Sequence, residues 1–198
     1  MSMHTIVNVR GTSGSGKSTV ARSVMTSLVE AGHQNTQERG MIGGRERILG
    51  HQVGPVFFVG KYATDCGGTD SMSWKGAADD ICDLIHRKAM FGPVLGEGLM
   101  MSSWGTGRLL DLWERCEKKL HVLMLTTPLE VCLASVQERR DRKDAEKGQP
   151  SRPLNPTNTT RKYHGSLKGA QNLEARGMST IQYLDRDAAL ARALELLT

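Results

Sequence analysis

The sequence predicts a three-layer α/β fold, with a parallel sheet of about five strands and helices on both faces. Two observations lead to this prediction. Apolar runs typical of buried strands alternate along the chain with amphipathic stretches of helical period. The first strand, residues 5–9, and the first helix, residues 18–30, are joined by a short loop rich in glycine and serine. Such a connection is typical of ligand-binding α/β sheets, and the first strand is expected at the centre.

That loop carries the motif around which the chain is organised. Residues 11–18 fit the pattern G-x-x-x-x-G-K-[ST]. Loop N–H groups and the start of the following helix point at phosphate oxygens in such a motif. Lys17 is expected to reach the β- and γ-phosphates, and the Ser18 hydroxyl to ligate Mg²⁺. A chance match in a Gly/Ser-rich turn is the alternative.

The predicted nucleotide site therefore consists of the whole loop and the first residues of the helix. Its members are Gly11, Thr12, Ser13, Gly14, Ser15, Gly16, Lys17, Ser18 and Thr19. The cofactors expected there are ATP and Mg²⁺.

Composition limits the classes of protein that fit. The 198 residues suit one domain, 1–198, and the net charge of +5 favours an anionic partner, either nucleotide phosphates or nucleic acid. No apolar run is long enough to span a membrane and no signal-like segment precedes the first strand, so we expect a cytoplasmic protein. The four cysteines form no C-x-x-C pair and are expected to be free thiols.

After the first helix, residues 33–46 are polar and glycine-rich and predict a loop. Residues 47–53 and 56–59 read as two strands divided by Gly54–Pro55. Asp65 and Asp70 then flank a Gly–Gly pair after the second of these strands. Because ligands bind at the carboxyl ends of parallel strands, the two acids are candidate site residues. An ordinary turn with a solvated, helix-capping aspartate is the alternative.

A helix over 77–90 is followed by a short buried strand that ends in Glu97. An acid at this position of a phosphate-binding fold assists the Mg²⁺ water shell or the attacking group. An exposed glutamate without a role is the alternative. Further on we expect a helix over 108–118, a strand over 120–125 and a helix over 130–143, which turns Val131, Cys132 and Val136 inward.

The end of that helix and the stretch after it, residues 138–154, are charged and then rich in Gly and Pro. We expect a mobile lid that closes over the phosphates with Arg139, Arg140 and Arg142. A solvated charged face is the alternative. A helix begins at Asn155–Pro156, with one face for an acceptor phosphate or simply for solvent. That face holds Asn158, Arg161, Gly165, Lys168 and Asn172. A strand over 179–184 and a helix over 187–197 close the chain.

Residues 11–18, 94–98 and 120–130, leading to Arg139–Arg140, resemble the P-loop kinases of the nucleotide-kinase-like group. The resemblance implies a P-loop kinase fold, ATP-dependent phosphoryl transfer and Mg²⁺. Many relatives carry an arginine in the helix where Ser135 falls here. Residues 61–70 are similar to a segment of small bacteriophage P-loop kinases, some of which phosphorylate 5-hydroxymethyluracil in DNA. That likeness implies a DNA-modifying enzyme of the host cytoplasm.

Three functions remain open at this point. A kinase that acts on a hydroxyl needs a carboxylate to take the proton, and Asp65 or Asp70 suits this. A nucleoside monophosphate kinase needs arginines on the acceptor phosphate, and Arg45 and Arg47 leave it open. An ATP-driven switch or assembly protein would have no small acceptor. For a base acceptor, three aromatic residues in the candidate crevice loops are candidates for stacking, and the alternative is that they cover the edge of the core. They are Tyr62, Trp74 and Trp104.

Overall fold

The computed structural model describes residues 2–62, 67–72, 74, 76–98, 101 and 106–198. The candidate base Asp65, the candidate stacking residue Trp104 and Cys66 lie outside the described residues.

In the described part of the chain, seven strands form one sheet, in the order β2-β3-β4-β5-β1-β6-β7. The strands are β1 (Ile6–Arg10), β2 (Asn35–Ile42), β3 (Arg45–Val53), β4 (Val56–Val59), β5 (Val94–Glu97), β6 (Leu120–Leu125) and β7 (Ile181–Leu184). Five of them, β4 to β7 together with β1, run parallel, and β1 lies in the middle of the five. The predicted α/β fold with a central first strand is confirmed.

Six α-helices are described. They are α1 (Lys17–Glu30), α2 (Ala77–Ala89), α3 (Thr106–Arg115), α4 (Leu129–Glu146), α5 (Pro156–Ala175) and α6 (Arg186–Leu197). Side chains alternate across β1, and each set is buried against its own group of helices. Val7 and Val9 share a core with α1 and α6. Ile6 shares the other core with α2, α3 and part of α5. Helices therefore cover both faces, as the sequence predicts.

The two strands outside the parallel set correct one prediction. Residues 35–42, predicted as part of a loop, form the edge strand β2, which pairs antiparallel with β3. The sequence does not indicate this strand, because its side chains are mostly polar and exposed, as an edge strand allows. Gly43 and Gly44 connect the strands with positive φ at both positions, 58° and 71°, as a two-residue type I′ turn requires.

The last third of the chain follows the predicted pattern, with one side chain turned the other way. Of the three residues predicted to face inward, Cys132 is buried and Val136 is half-buried, but Val131 is 46% exposed, so the prediction is wrong for Val131. The cap of α5 is confirmed, because Asn155 accepts a hydrogen bond from the Thr157 N–H at 3.0 Å. Cys82, Cys116 and Cys132 are free thiols. Among the described helices, none has the length and apolar character needed to cross a membrane.

Candidate active site

The phosphate-binding loop wraps around the start of α1 and is fixed from two sides. Gly14 has φ 82°, and a Cβ there would lie 2.3 Å from the Cys132 carbonyl oxygen of α4, so only glycine fits. Thr127 lies after β6, and its hydroxyl donates to the Ser15 carbonyl oxygen at 2.8 Å. The loop is thus held in shape by the strand and helix beside it.

Lys17 lies inside this loop, with 6% of its surface exposed. Its Nζ donates to the Thr12 carbonyl oxygen at 2.7 Å. Burial lowers the pKa of Lys17, and the nearby charges of Glu97 and Asp70 oppose that shift. The ammonium group therefore sits between the loop backbone and two carboxylates, where anionic phosphates would stabilise its charge.

Glu97 ends β5 next to the loop and is 1% exposed, so the alternative of an exposed strand-end glutamate is wrong. Its Oε1 accepts a hydrogen bond from the Ser18 hydroxyl at 2.9 Å. Burial raises the pKa of Glu97, and Lys17 and Ser18 oppose the shift. The predicted metal ligands, Ser18 and Glu97, are thus in contact.

A single 3₁₀ turn, residues 68–71, contains Asp70 and lies against Glu97 at the end of β5. The Thr69 hydroxyl donates to the Glu97 carbonyl at 3.0 Å. Gly68 has φ 62°, and a Cβ there would lie 2.7 Å from Glu97 Oε1, so the turn rests directly on the glutamate. Asp70 is exposed and lines the cleft.

One cleft of about 1280 Å³ brings the predicted groups together. Residues 13–19, Asp70 and Glu97 line it near the loop, and Arg139, Arg140 and Arg142 line it from α4. Gly11 and Thr12 belong to the buried base of the loop. The cleft is therefore a candidate active site with phosphate-binding, carboxylate and guanidinium groups facing one space.

The segment after α4, expected to belong to a lid, lies folded against that helix. Gln137 bonds the backbone on either side of Pro153: its Nε2 donates to the Arg152 carbonyl at 3.2 Å, and its Oε1 accepts from Leu154 N–H at 2.6 Å. Arg152 forms an ion pair with the buried Asp144 at 2.8 Å. Arg140 donates to the Pro153 carbonyl at 3.1 Å.

Sequence reasoning missed several lining residues. Arg22 lines the cleft one helical turn after Ser18, and the i, i+4 spacing within α1 is the signal that identifies it. Residues 185–187 also line the cleft. They follow the carboxyl end of β7, where the crevice rule for parallel sheets places a ligand.

The structure decides between the alternatives that the sequence left open for two further sets of residues. The α5 face is exposed throughout, and of its five residues Asn158 is the one that lines the cleft, so most of it is solvent-facing. Trp74 is not an open stacking platform: its Nε1 donates to Asp80 at 2.8 Å and the Arg47 guanidinium lies 4.5 Å from the ring centre. Tyr62 is buried in the core.

Known proteins resemble the chain at different levels. No protein-family model matches it. A protein of Pseudomonas phage PaMx11 named 5-hmdU DNA kinase is 33% identical over 202 residues, covering 100% of this chain and 99% of that protein. A 5-hmdU DNA kinase of Delftia phage PhiW-14 is 34% identical over 70 residues, 34% of this chain and 22% of that protein. A gluconokinase structure from Sinorhizobium meliloti 1021 covers 98% of this chain and 96% of its own, with a TM-score of 0.48 and 15% identity.

Proposed function

Since the chain belongs to the family of phage 5-hmdU DNA kinases, we propose that it transfers the γ-phosphate of ATP to the hydroxymethyl group of 5-hydroxymethyluracil in DNA. The observation that carries this proposal is the placement of the exposed carboxylate of Asp70 in the same cleft as the buried lysine of the phosphate-binding loop. The enzyme would act on DNA in the cytoplasm of the infected host.

In the proposed reaction the hydroxyl oxygen forms a bond to the γ-phosphorus, and the bond from that phosphorus to the β–γ bridging oxygen breaks. ADP leaves, and the hydroxyl proton passes to a carboxylate. Asp70 is the proposed acceptor of that proton, because it lies in the cleft and its exposure lets the proton continue to water. Asp65, outside the described residues, is the second candidate.

The loop and Lys17 would hold the β- and γ-phosphates. The Lys17–Thr12 and Thr127–Ser15 hydrogen bonds support this, because they hold the ammonium and the loop backbone in position without a ligand. Groups that are already oriented stabilise charge in the transition state without reorganisation. Arg139, Arg140 and Arg142 are proposed to add positive charge from the opposite wall.

The donor set beside the loop fits a magnesium ion. Ser18 and Glu97 present a hydroxyl and a carboxylate oxygen 2.9 Å apart, and Mg²⁺ prefers oxygen ligands while keeping several of its waters. Ser18 would bind the ion directly and Glu97 would orient its waters. When bound, the ion supplies charge neutralisation on the phosphates.

Arg22 favours a second candidate function. This arginine lines the cleft on the side of Glu97. Burial raises the pKa of that carboxyl, and the charge of Arg22 opposes the shift. A nucleoside monophosphate kinase needs such a cation, because its acceptor is already an anionic phosphate and requires no base.

The test is incubation with γ-labelled ATP and a panel of acceptors: mononucleotides, ordinary DNA, DNA containing 5-hydroxymethyluracil, and small alcohols. We expect label in the modified DNA with the wild-type protein, and a loss of about 10²–10³-fold with Lys17→Ala. Efficient labelling of a free mononucleotide with none in the modified DNA would favour the monophosphate kinase. ATP hydrolysis with no labelled acceptor would favour a switch.

A further inference from the structure

The β2–β3 hairpin extends past the carboxyl ends of the parallel strands, where the candidate site lies. β3 pairs with β4 from Gly50 to Val53, and Gly50 is opposite Val59, the last residue of β4. Its pairing with β2 continues to Arg45. Residues 39–49, here called the projecting ribbon, therefore extend beyond the carboxyl end of β4. At about 3.4 Å per residue, the five residues Arg45–Leu49 reach roughly 17 Å past it.

The ribbon begins beside the turn that carries Asp70. Gly60, which follows β4, donates its N–H to the Leu49 carbonyl at 2.8 Å. A Cβ at Gly60 would lie 2.1 Å from the Gly68 carbonyl oxygen, and Gly68 in turn rests on Glu97. This places the base of the ribbon beside the turn that carries Asp70, the proposed base, whereas α4 and the residues after β7 bound the opposite side of the cleft.

The ribbon is anchored at both of its ends. Ile42 and Leu49 are buried in the core shared with α2. At the tip, a Cβ on Gly43 would lie 2.4 Å from Trp74 Nε1, so the indole packs directly against the turn, and Arg47 covers the ring. A surface held in this way loses little conformational entropy when a partner binds.

The exposed side chains of the ribbon suit a polyanion. By register, Arg45 lies opposite Ile42 and Arg39 lies opposite Ile48, so the two arginines project from opposite faces. Both are exposed, and Arg39 has one ionic contact in the ribbon, with the exposed Glu46 at 3.6 Å. An exposed pair of this kind contributes little to stability, so phosphate can readily replace the glutamate as the partner of Arg39. Met41, 69% exposed, adds an apolar tip.

The dimensions of the ribbon match one feature of duplex DNA. The major groove admits a two-stranded β-ribbon, and the C5 substituent of a thymine-like base lies in that groove. An enzyme that phosphorylates a C5 hydroxymethyl group meets its acceptor on the major-groove edge. Because the face with Ile42 and Leu49 packs on the core shared with α2, the opposite face, which carries Arg39, would meet the DNA. Arg45 is exposed at the tip, where it can reach a phosphate beside that face.

We propose that the projecting ribbon is a contact surface for duplex DNA, with Arg39 and Arg45 against backbone phosphates next to the target base. The choice of partner rests on the proposed function. The ribbon supplies position and affinity and takes no part in the chemistry.

The test compares Arg39→Gln/Arg45→Gln with a charge-matched control, Lys118→Gln/Arg176→Gln. Lys118 and Arg176 are also exposed. They precede β6 and β7, so they lie at the amino ends of the parallel strands, opposite the candidate site. Binding of a fluorescent duplex containing 5-hydroxymethyluracil is measured by anisotropy over a series of salt concentrations. ATP binding and thermal unfolding verify that each variant is folded.

We expect the ribbon variant to bind DNA about tenfold more weakly and to lower the slope of log K against log salt by about 2, near 0.9 for each lost phosphate contact. The control should keep the wild-type slope. A ribbon variant with wild-type affinity and slope would overturn the proposal, and so would an equal loss in the control, because the effect would then be one of net charge.

Phosphorylation of the same duplex separates this inference from the proposed function. If the wild type labels the modified DNA and the ribbon variant matches its KM and salt slope, the ribbon proposal fails and the function stands. If the wild type binds DNA through Arg39 and Arg45 but labels no modified base, the ribbon proposal stands and the function fails.

Discussion

The Ser18 hydroxyl donates to Glu97 Oε1 at 2.9 Å, joining the first turn of α1 to the end of β5. The residues are far apart in sequence, and the sheet brings them together: Val9 pairs with Glu97 in the parallel register of β1 and β5. The P-loop begins directly after β1. Ser18, at the end of the loop, therefore lies next to Glu97. The bond therefore follows from strand order.

We expect Glu97→Gln to raise the Mg²⁺ concentration needed for half-maximal activity by about 10–100-fold, the usual effect of removing a group that orients a metal ligand. The amide keeps the size of the side chain and removes its charge. Activity is measured against Mg²⁺ at saturating ATP. Glu138→Gln is the control, because Glu138 lines the same cleft and is exposed. An unchanged Mg²⁺ dependence in Glu97→Gln would contradict the role.

Gly68→Ala should lower the free energy of unfolding by about 1–3 kcal/mol more than Gly148→Ala does. Both glycines have nearly the same φ, 62° and 64°, so the backbone strain is equal. A Cβ at position 68 would meet the Glu97 carbonyl oxygen at 2.3 Å, whereas one at position 148 has nothing within 4 Å. Urea unfolding of the two variants measures the difference. Equal losses would show that the turn does not depend on contact with Glu97.

The wild-type protein should lose more stability than His51→Gln when the pH falls from about 7.5 to about 5.5. Burial lowers the pKa of His51, which lies on β3 with Nδ1 3.1 Å from Asn35 Oδ1. As the pH falls through the ordinary value of 6.5, the unfolded chain takes up the proton first and is stabilised. His121, whose pKa burial also lowers, is present in both proteins. Identical pH dependences, measured by urea unfolding, would refute the assignment.

Among Arg139→Ala, Arg140→Ala and Arg142→Ala, at least one should lower kcat tenfold or more, since an arginine finger in phosphoryl transfer contributes about 10³-fold or more. All three line the cleft from α4. Steady-state kinetics with the acceptor in excess gives kcat. Arg176→Ala, at the amino end of β7 and away from the cleft, serves as the control. The lid interpretation fails if all three variants keep the wild-type kcat.

The sequence alone predicts the parallel part of the sheet and the P-loop well, because both rest on local patterns. A buried parallel strand is a short apolar run, and the P-loop motif stands between one such run and a helix. Glu97 was placed correctly because it ends a strand of this kind.

The sequence does not predict the hairpin or the contacts of Trp74, because both depend on distant partners. β2 is polar and gains its hydrogen bonds from β3, although the Gly43–Gly44 pair was a usable signal for a tight turn. The environment of Trp74 is set by Arg47 on β3 and Asp80 on α2, which no local pattern connects. Helical spacing does not show which face of α4 meets the cleft, so it predicts the wrong direction for Val131.

Asp70→Asn should lower the phosphorylation rate of 5-hydroxymethyluracil DNA by about 10²–10⁴-fold, the usual contribution of a general base. Asparagine keeps the shape of the turn that rests on Glu97 but cannot accept the hydroxyl proton, so binding of ATP and of DNA should stay unchanged. Single-turnover kinetics isolates the chemical step. Asp187→Asn is the matched control, because Asp187 lines the cleft beyond β7, on the side away from Glu97. Full activity in Asp70→Asn together with a loss of that size in Asp65→Asn would transfer the role of base to Asp65.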